Sequence, residues 1–270
     1  MAPDNKLANP TFEYRHNWRK KTQTVNIPSS LSEASTRQFL VLLAFSQGRI
    51  TEEQFFQMFF EVTEKVLAQL DPYQLYVIAE ELRGLWEITQ CDHLIIGELT
   101  VKPLKEEDRR SRGAWHLQAP AAQLKGMSFQ QFMTVDQYYQ WYAYTGKPDY
   151  LAAMVAALYL PEGADFFTHD HALMAETLMA NGDRWQMEGI AFNWVLIRVW
   201  LSSAYPHLFP AADPTAEQSP TRAGKPRPGS WLNIFDTLVG DDLTRIETYR
   251  TLPCMDVIRI LNRRIKEQKK

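Results

Sequence analysis

The chain has 270 residues, of which 45% are hydrophobic, 12% aromatic and 23% charged, with a net charge of −3. That balance excludes a disordered chain, which would lack the 8 Trp, 11 Tyr and 14 Phe, and it argues against a basic nucleic-acid-binding domain. Two cysteines, Cys91 and Cys254, are too few for a disulfide framework or a structural zinc site.

Residues 1–26 are polar, with a basic run from Arg15 to Lys21, and read as an extended arm. No apolar run follows the opening Met-Ala-Pro-Asp-Asn-Lys, so the expected location is the cytosol. Residues 27–92 read as a three-helix unit. Ser35-Thr36-Arg37-Gln38 and Thr51-Glu52-Glu53-Gln54 are capping boxes, in which hydroxyl and amide side chains satisfy the first backbone N–H groups of a helix. Phe39 to Phe45 follows the first box. Phe55, Phe59, Val62, Val66 and Leu70 follow the second at helical spacing, and Gly48 marks the turn between the two helices. Asp71-Pro72-Tyr73-Gln74 opens a third helix, carrying Leu75, Ile78, Ala79, Leu82 and Trp86 inward.

Residues 93–118 read as a β-hairpin. Leu94 to Val101 is rich in β-branched residues and partly alternating, Lys102 to Gly113 is a charged loop, and Trp115-His116-Leu117 is the return strand. Residues 119–205 read as an aromatic-rich helical bundle. Its first helix opens on a third capping box, Ser128 to Gln131, and places Phe129, Phe132, Val135, Tyr139 and Tyr142 at helical spacing. Thr145-Gly146-Lys147-Pro148 ends it. The small-residue run from Tyr150 to Tyr159 allows close backbone approach and is expected at the centre of the bundle. Helices are also expected from about Asp170 to Met179 and from about Arg184 to Ser203. Ile190 to Tyr205 is the most hydrophobic stretch, but Asn193 and Arg198 interrupt it, and it is shorter than the ~20 residues of a spanning helix. Six prolines from Pro206 to Pro228 make residues 206–230 a loop. Residues 231–270 read as a C-terminal helical unit whose last helix, Met255 to Lys270, carries Val257, Ile258, Leu261 and Ile265 on one face.

No G-x-S-x-G, Walker loop, G-x-G-x-x-G, H-E-x-x-H or C-x-x-C pattern occurs, and no cofactor is expected. The candidate metal ligands are His169, Asp170 and His171, with Asp165 nearby, because imidazole and carboxylate both donate to divalent cations. A His-Asp doublet also occurs in helical phosphohydrolases, which makes a metal-dependent hydrolase the alternative function. Its further ligands would be His116 and either Asp236 or Asp241. Thr and Asp at a helix start equally serve as caps, and capping is the expected role. Cys91-Asp92-His93 sets a thiol beside an imidazole, but neighbours on one backbone rarely make a productive nucleophile–base pair, so a plain connecting loop is expected. The block Tyr138 to Tyr144 could stack bases, yet Lys147 is the one basic residue close by. Tyr138, Trp141 and Tyr142 are therefore candidate interface residues, with Arg263 and Arg264 near the C-terminus. A nucleic-acid partner would instead use the basic termini, Arg15 to Lys21 and Arg263 to Lys270.

The order of segments carries a resemblance. Ile27-Pro28-Ser29-Ser30-Leu31-Ser32-Glu33 with Gln38, Met127 to Phe132 with Asp136 to Tyr139, Tyr144-Thr145-Gly146 with Leu151 to Pro161, and Trp231 with Asp256 to Leu261 together resemble uncharacterised proteins of bacterial prophage-like gene clusters. The chain departs from their pattern in its Pro-rich loop and in Gly146-Lys147, where an acidic residue is expected. The resemblance implies a phage morphogenesis component, a tail-assembly or structural accessory protein. It would be cytoplasmic or virion-associated and would contact other proteins of an assembly or further copies of itself. The expected fold is mainly α, a helical bundle with a small inserted β-hairpin.

Overall fold

The computed structural model describes residues 11–16, 19–24, 27–28, 30–69, 90–104, 113–209 and 246–268, with positions 73, 75, 76, 78–80, 82, 231, 234, 235 and 239. It is mainly helical with a small antiparallel sheet, as the spacing of apolar residues implies. The chain divides into two compact units, Met1–Thr89 and Gln90–Lys270.

The first unit begins with β1 (Thr11–His16) and β2 (Arg19–Thr24), paired antiparallel with Thr11 opposite Thr24 and His16 opposite Arg19. The expected arm is thus a hairpin. Polar composition concealed the β-forming Thr11, Phe12, Tyr14, Thr22 and Thr24, and pairing satisfies backbone groups that a free arm leaves to water. Then come α1 (Thr36–Ser46) and α2 (Glu52–Phe60), and both capping boxes close. The Ser35 hydroxyl accepts from Gln38 N at 3.2 Å while Gln38 Oε1 accepts from Ser35 N at 3.0 Å. Thr51 and Gln54 repeat the exchange at 3.2 and 2.9 Å. Gly48, at φ 66°, takes the left-handed conformation that the α1–α2 turn requires. Phe45, Phe55 and Phe59 stack in sequence, with centroids 4.9 and 5.2 Å apart.

The second helix does not run on to Leu70. Glu61 adopts a left-handed conformation at φ 56°, and a separate short helix, α3 (Glu64–Leu67), follows. Val62 and Val66 are buried on this bent path, as they would be on a straight helix, so their spacing could not reveal the break. Of the expected third helix, positions 73, 75, 76, 78–80 and 82 are helical, with Ile78 and Leu82 buried; its other residues lie outside those described.

In the second unit β3 (Glu98–Val101) pairs with β4 (Trp115–Gln118), placing Val101 opposite Trp115. The remaining helices are α4 (Phe129–Thr145), α5 (Pro148–Leu158), α6 (His171–Asn181), α7 (Arg184–Ala204), α8 (Ile246–Thr251) and α9 (Cys254–Gln268). A short third strand, β5 (Leu160–Pro161), follows α5 and pairs with β4. The alanine-rich α5 is central: Ala152 and every residue from Met154 to Tyr159 are fully buried, and the helix packs on α4, α6 and α7. Pro148 occupies its first turn, and Gly146, at φ 69°, ends α4.

The third capping box closes only halfway. The Ser128 hydroxyl accepts from Gln131 N at 3.2 Å, but the Gln131 amide turns inward and donates to Ala157 O at 2.9 Å. That carbonyl lies in the last turn of α5, where no intrahelical donor remains. Asn262 of α9 similarly accepts from His207 N and Leu208 N, at 3.0 and 3.1 Å, tying down the chain that leaves α7. Among the described residues no helix is long and apolar enough to cross a membrane. The charged loop at 105–112 and most of the Pro-rich loop lie outside those residues.

Candidate functional site

The aromatic helix α4 has two distinct faces. Phe129, Phe132, Val135 and Asp136 point inward and are buried. Asp136, 1% exposed, is a carboxylate in the core, and four donors surround it. Trp194 Nε1 donates to Oδ1 at 3.1 Å, while Trp231 Nε1 and Gln140 Nε2 donate to Oδ2 at 2.8 and 2.7 Å. Arg198 Nε lies 3.4 Å from Oδ1, and its guanidinium covers the Tyr139 ring at 5.3 Å. These donors satisfy both carboxyl oxygens and tie α4, α7 and Trp231 to one point. Asp136 falls in one of the segments that carry the resemblance, but the convergence of two distant indoles on its carboxylate is purely a tertiary fact.

The opposite face of α4 presents Gln130, Thr134, Gln137, Tyr138 and Trp141 at intervals of three and four. They form one wall of a groove of about 410 Å³. Tyr150 of α5, Trp231, Phe235 and Arg250 complete it. Trp141 stacks on Tyr150, with centroids 5.9 Å apart and planes 25° from parallel, which fixes the indole as part of the wall. Trp231 meets Phe132 edge-on at 5.2 Å, and Arg250 lies over the Phe235 ring at 6.0 Å while pairing with Glu247. Tyr138 and Trp141 therefore share one concave surface. Tyr142 is half-buried and does not line it, and Arg263 and Arg264 lie on the exposed face of α9.

The His169, Asp170, His171 segment joins a short 3-10 turn to α6. Asp170 Oδ1 accepts from Leu173 N at 3.0 Å and caps α6; Asp165 Oδ1 likewise accepts from Phe167 N at 3.0 Å. His171 Nε2 lies 3.2 Å from Phe166 O and its Nδ1 lies 3.4 Å from Ala156 O. The two imidazoles stand edge to face at 4.8 Å. Burial, then the neighbouring His171, pushes the His169 pKa below its ordinary value, against the opposing effects of Asp170 and the Ala156 carbonyl. His169 Nε2 is buried without a hydrogen-bond partner, beside a cavity of about 390 Å³ that Trp115 and Asp170 also line. His116, a proposed further ligand, lies on β4 within reach of Thr100, and Asp236 and Asp241 lie outside the described residues.

Cys91-Asp92-His93 is a connecting turn just ahead of β3, and it is tightly held. Cys91 N donates to Leu196 O of α7 at 3.2 Å. The fully buried Asn193, also on α7, donates to His93 O at 3.0 Å and accepts from Ile95 N at 2.7 Å. Gln123 N donates to Asp92 O at 2.7 Å. Gln123 and Leu124 sit at φ 58° and 55°, left-handed conformations that cost a non-glycine residue about 1–3 kcal/mol each. His93 Nδ1 is 2.9 Å from Asp92 Oδ1 and 3.5 Å from Cys91 Sγ. A nucleophile–base–carboxylate relay sets thiol and carboxylate on different ring nitrogens, whereas here Nδ1 is the nearer nitrogen to both, with Nε2 4.0 Å from the sulfur. Burial also pushes the Cys91 thiol up, and the Asp92 carboxyl is held low mainly by its hydrogen bond from His93. Cys254, fully buried and pushed up to about 12 by the same desolvation, is still less reactive.

No family model, curated protein or solved structure matches the chain.

Proposed function

We propose that this chain is a non-enzymatic protein-binding component of phage or prophage particle assembly, acting through the aromatic groove between α4 and the Trp231–Arg250 region. The observation that carries this reading is the groove itself, in which Trp141, Tyr150, Trp231 and Phe235 surround a concavity bordered by amides and one arginine. Aromatic residues held in a preformed pocket are the usual anchors of protein interfaces, because they bring large area at little cost in conformational freedom. The order of segments from Ile27 to Leu261, which resembles prophage-cluster proteins, supplies the assembly setting.

The test is capture of the products of neighbouring genes by the full chain, combined with light scattering to read its own association. Trp141→Ala is expected to weaken the captured complex about thirtyfold, equivalent to ~2 kcal/mol, while leaving the circular dichroism spectrum intact. A protein that stays strictly monomeric and captures none of those products overturns the proposal. So does a complex that Trp141→Ala leaves unchanged.

A further inference from the structure

We propose that Cys91, Asp92 and His93 form a binding site for a divalent transition-metal ion of the zinc class. Among the described residues these three bring one thiol, one carboxylate and one imidazole nitrogen within 4.8 Å of one another. The sulfur–nitrogen separation matches an edge of a tetrahedral coordination face, and the nitrogen–oxygen separation would open by about 0.4 Å to match another. Metal–sulfur and metal–nitrogen bonds of about 2.3 and 2.0 Å, opened to a tetrahedral angle, put sulfur and nitrogen roughly 3.5 Å apart. Cys91 Sγ and His93 Nδ1 are 3.5 Å apart, and Asp92 Oδ1 lies 2.9 Å from the same nitrogen.

Hydrogen bonds already hold the three groups together, His93 Nδ1 against Asp92 Oδ1 and the Cys91 thiol against His93 O, and a bound ion would take their place. Nδ1 carries either one proton or one lone pair, so it cannot serve thiol and carboxylate equally. The thiol proton instead goes to His93 O, 3.2 Å away. Thiolate, carboxylate and imidazole are all electron-pair donors, and a cation among them satisfies the three together. The charges balance as well: thiolate and carboxylate neutralise a doubly charged ion in a half-buried setting.

The surroundings behave as a second layer of support. Metal ligands need to be held in place before the ion arrives, and Asn193 of α7 holds the turn by both its amide atoms. Gln123, in its left-handed conformation, holds Asp92 O. The soft sulfur and borderline nitrogen select zinc, cobalt or ferrous iron over magnesium or calcium, whose preferred ligands are oxygens. With three protein ligands and side chains of His93 and Asp92 that are 24% and 36% exposed, a fourth position is left for water or a partner's side chain.

Binding breaks the Cys91 S–H bond, releases the proton to solvent and forms a sulfur–metal bond, with no change in oxidation state. Each event therefore liberates at least the thiol proton, and affinity should fall about tenfold per pH unit as the pH drops.

The experiment is titration of the reduced, chelator-treated full chain with cobalt(II) alone, read by absorption. The expected result is a thiolate-to-cobalt charge-transfer band and intense tetrahedral visible bands that saturate near one equivalent. Cys254→Ser should keep the band, Cys91→Ser should abolish it, and His93→Gln should weaken binding at least about tenfold. Should Cys91→Ser not fold, the half-exposed His93→Gln and Asp92→Asn carry the test in its place. A spectrum with no charge-transfer band, or a band that persists unweakened in either Cys91→Ser or His93→Gln, overturns the site.

Discussion

At the scale of single residues, Asp136 shows how much of this molecule depends on side chains whose partners no sequence spacing announces. Its two oxygens take hydrogen bonds from Trp194, Trp231 and Gln140, and Arg198 stands beside them. Asparagine has the same shape but only one acceptor oxygen, so Asp136→Asn leaves at least one indole or amide N–H facing another donor. An unsatisfied buried donor costs about 1–3 kcal/mol, and that loss should appear in urea denaturation as a lower midpoint with an unchanged slope. A variant as stable as the wild type would show that the carboxylate does not organise the core. The candidate interface residues divide on the same principle. Tyr138 and Trp141 were identifiable as aromatics in a dense run, but their placement on one groove with Tyr150, Trp231 and Phe235 depends on residues far along the chain. The Cys91-Asp92-His93 tripeptide is legible in sequence only as a connecting turn. What changes its standing is Asn193, about a hundred residues later, which holds the turn so that three donors converge.

At the scale of elements, three segments share one sequence pattern and do not share one structure. Ser35 to Gln38 and Thr51 to Gln54 close as reciprocal caps, both at exposed helix starts where the glutamine amide oxygen reaches the backbone N–H behind it. Gln131 lies 3% exposed beside the end of α5, and its amide supplies the donor that Ala157 O lacks. The two glutamines should therefore respond differently to truncation. Gln54→Ala is expected to cost at most about 1 kcal/mol, as for an ordinary exposed cap. Gln131→Ala, which strands a buried carbonyl and leaves a cavity, should cost about 1–3 kcal/mol beyond that. Denaturation of the two variants side by side decides it, and equal losses would mean that the inward hydrogen bond adds nothing. Neither the hairpin of β1 and β2 nor the break at Glu61 is marked by apolar spacing: the segment 11–24 is mostly polar in sequence, and a bend that keeps Val62 and Val66 buried leaves the helical spacing intact.

At the scale of the whole molecule, the second unit contains its own core. α5 is enclosed by α4, α6 and α7, and α9 buries Cys254, Val257, Ile258 and Leu261. Residues 90–270 expressed alone should therefore unfold cooperatively on heating, with helical content intact before the transition. A featureless, gradual loss of ellipticity would show that this core needs residues 1–89.

The sequence by itself determined the helical class, the start and stop of most helices, the β3–β4 hairpin and the central place of the alanine-rich α5. These follow from local rules: apolar spacing, capping chemistry, and the backbone limits of glycine and proline. Only the tertiary structure decided where the polar side chains inside the fold would find their partners. Asp136 meets indoles from two distant segments, Gln131 leaves its own helix start for the end of the next helix, and Asn193 holds a turn that lies far before it in the chain. A buried polar group must be satisfied by whatever the packing brings within about 3 Å, and that partner has no fixed spacing in sequence.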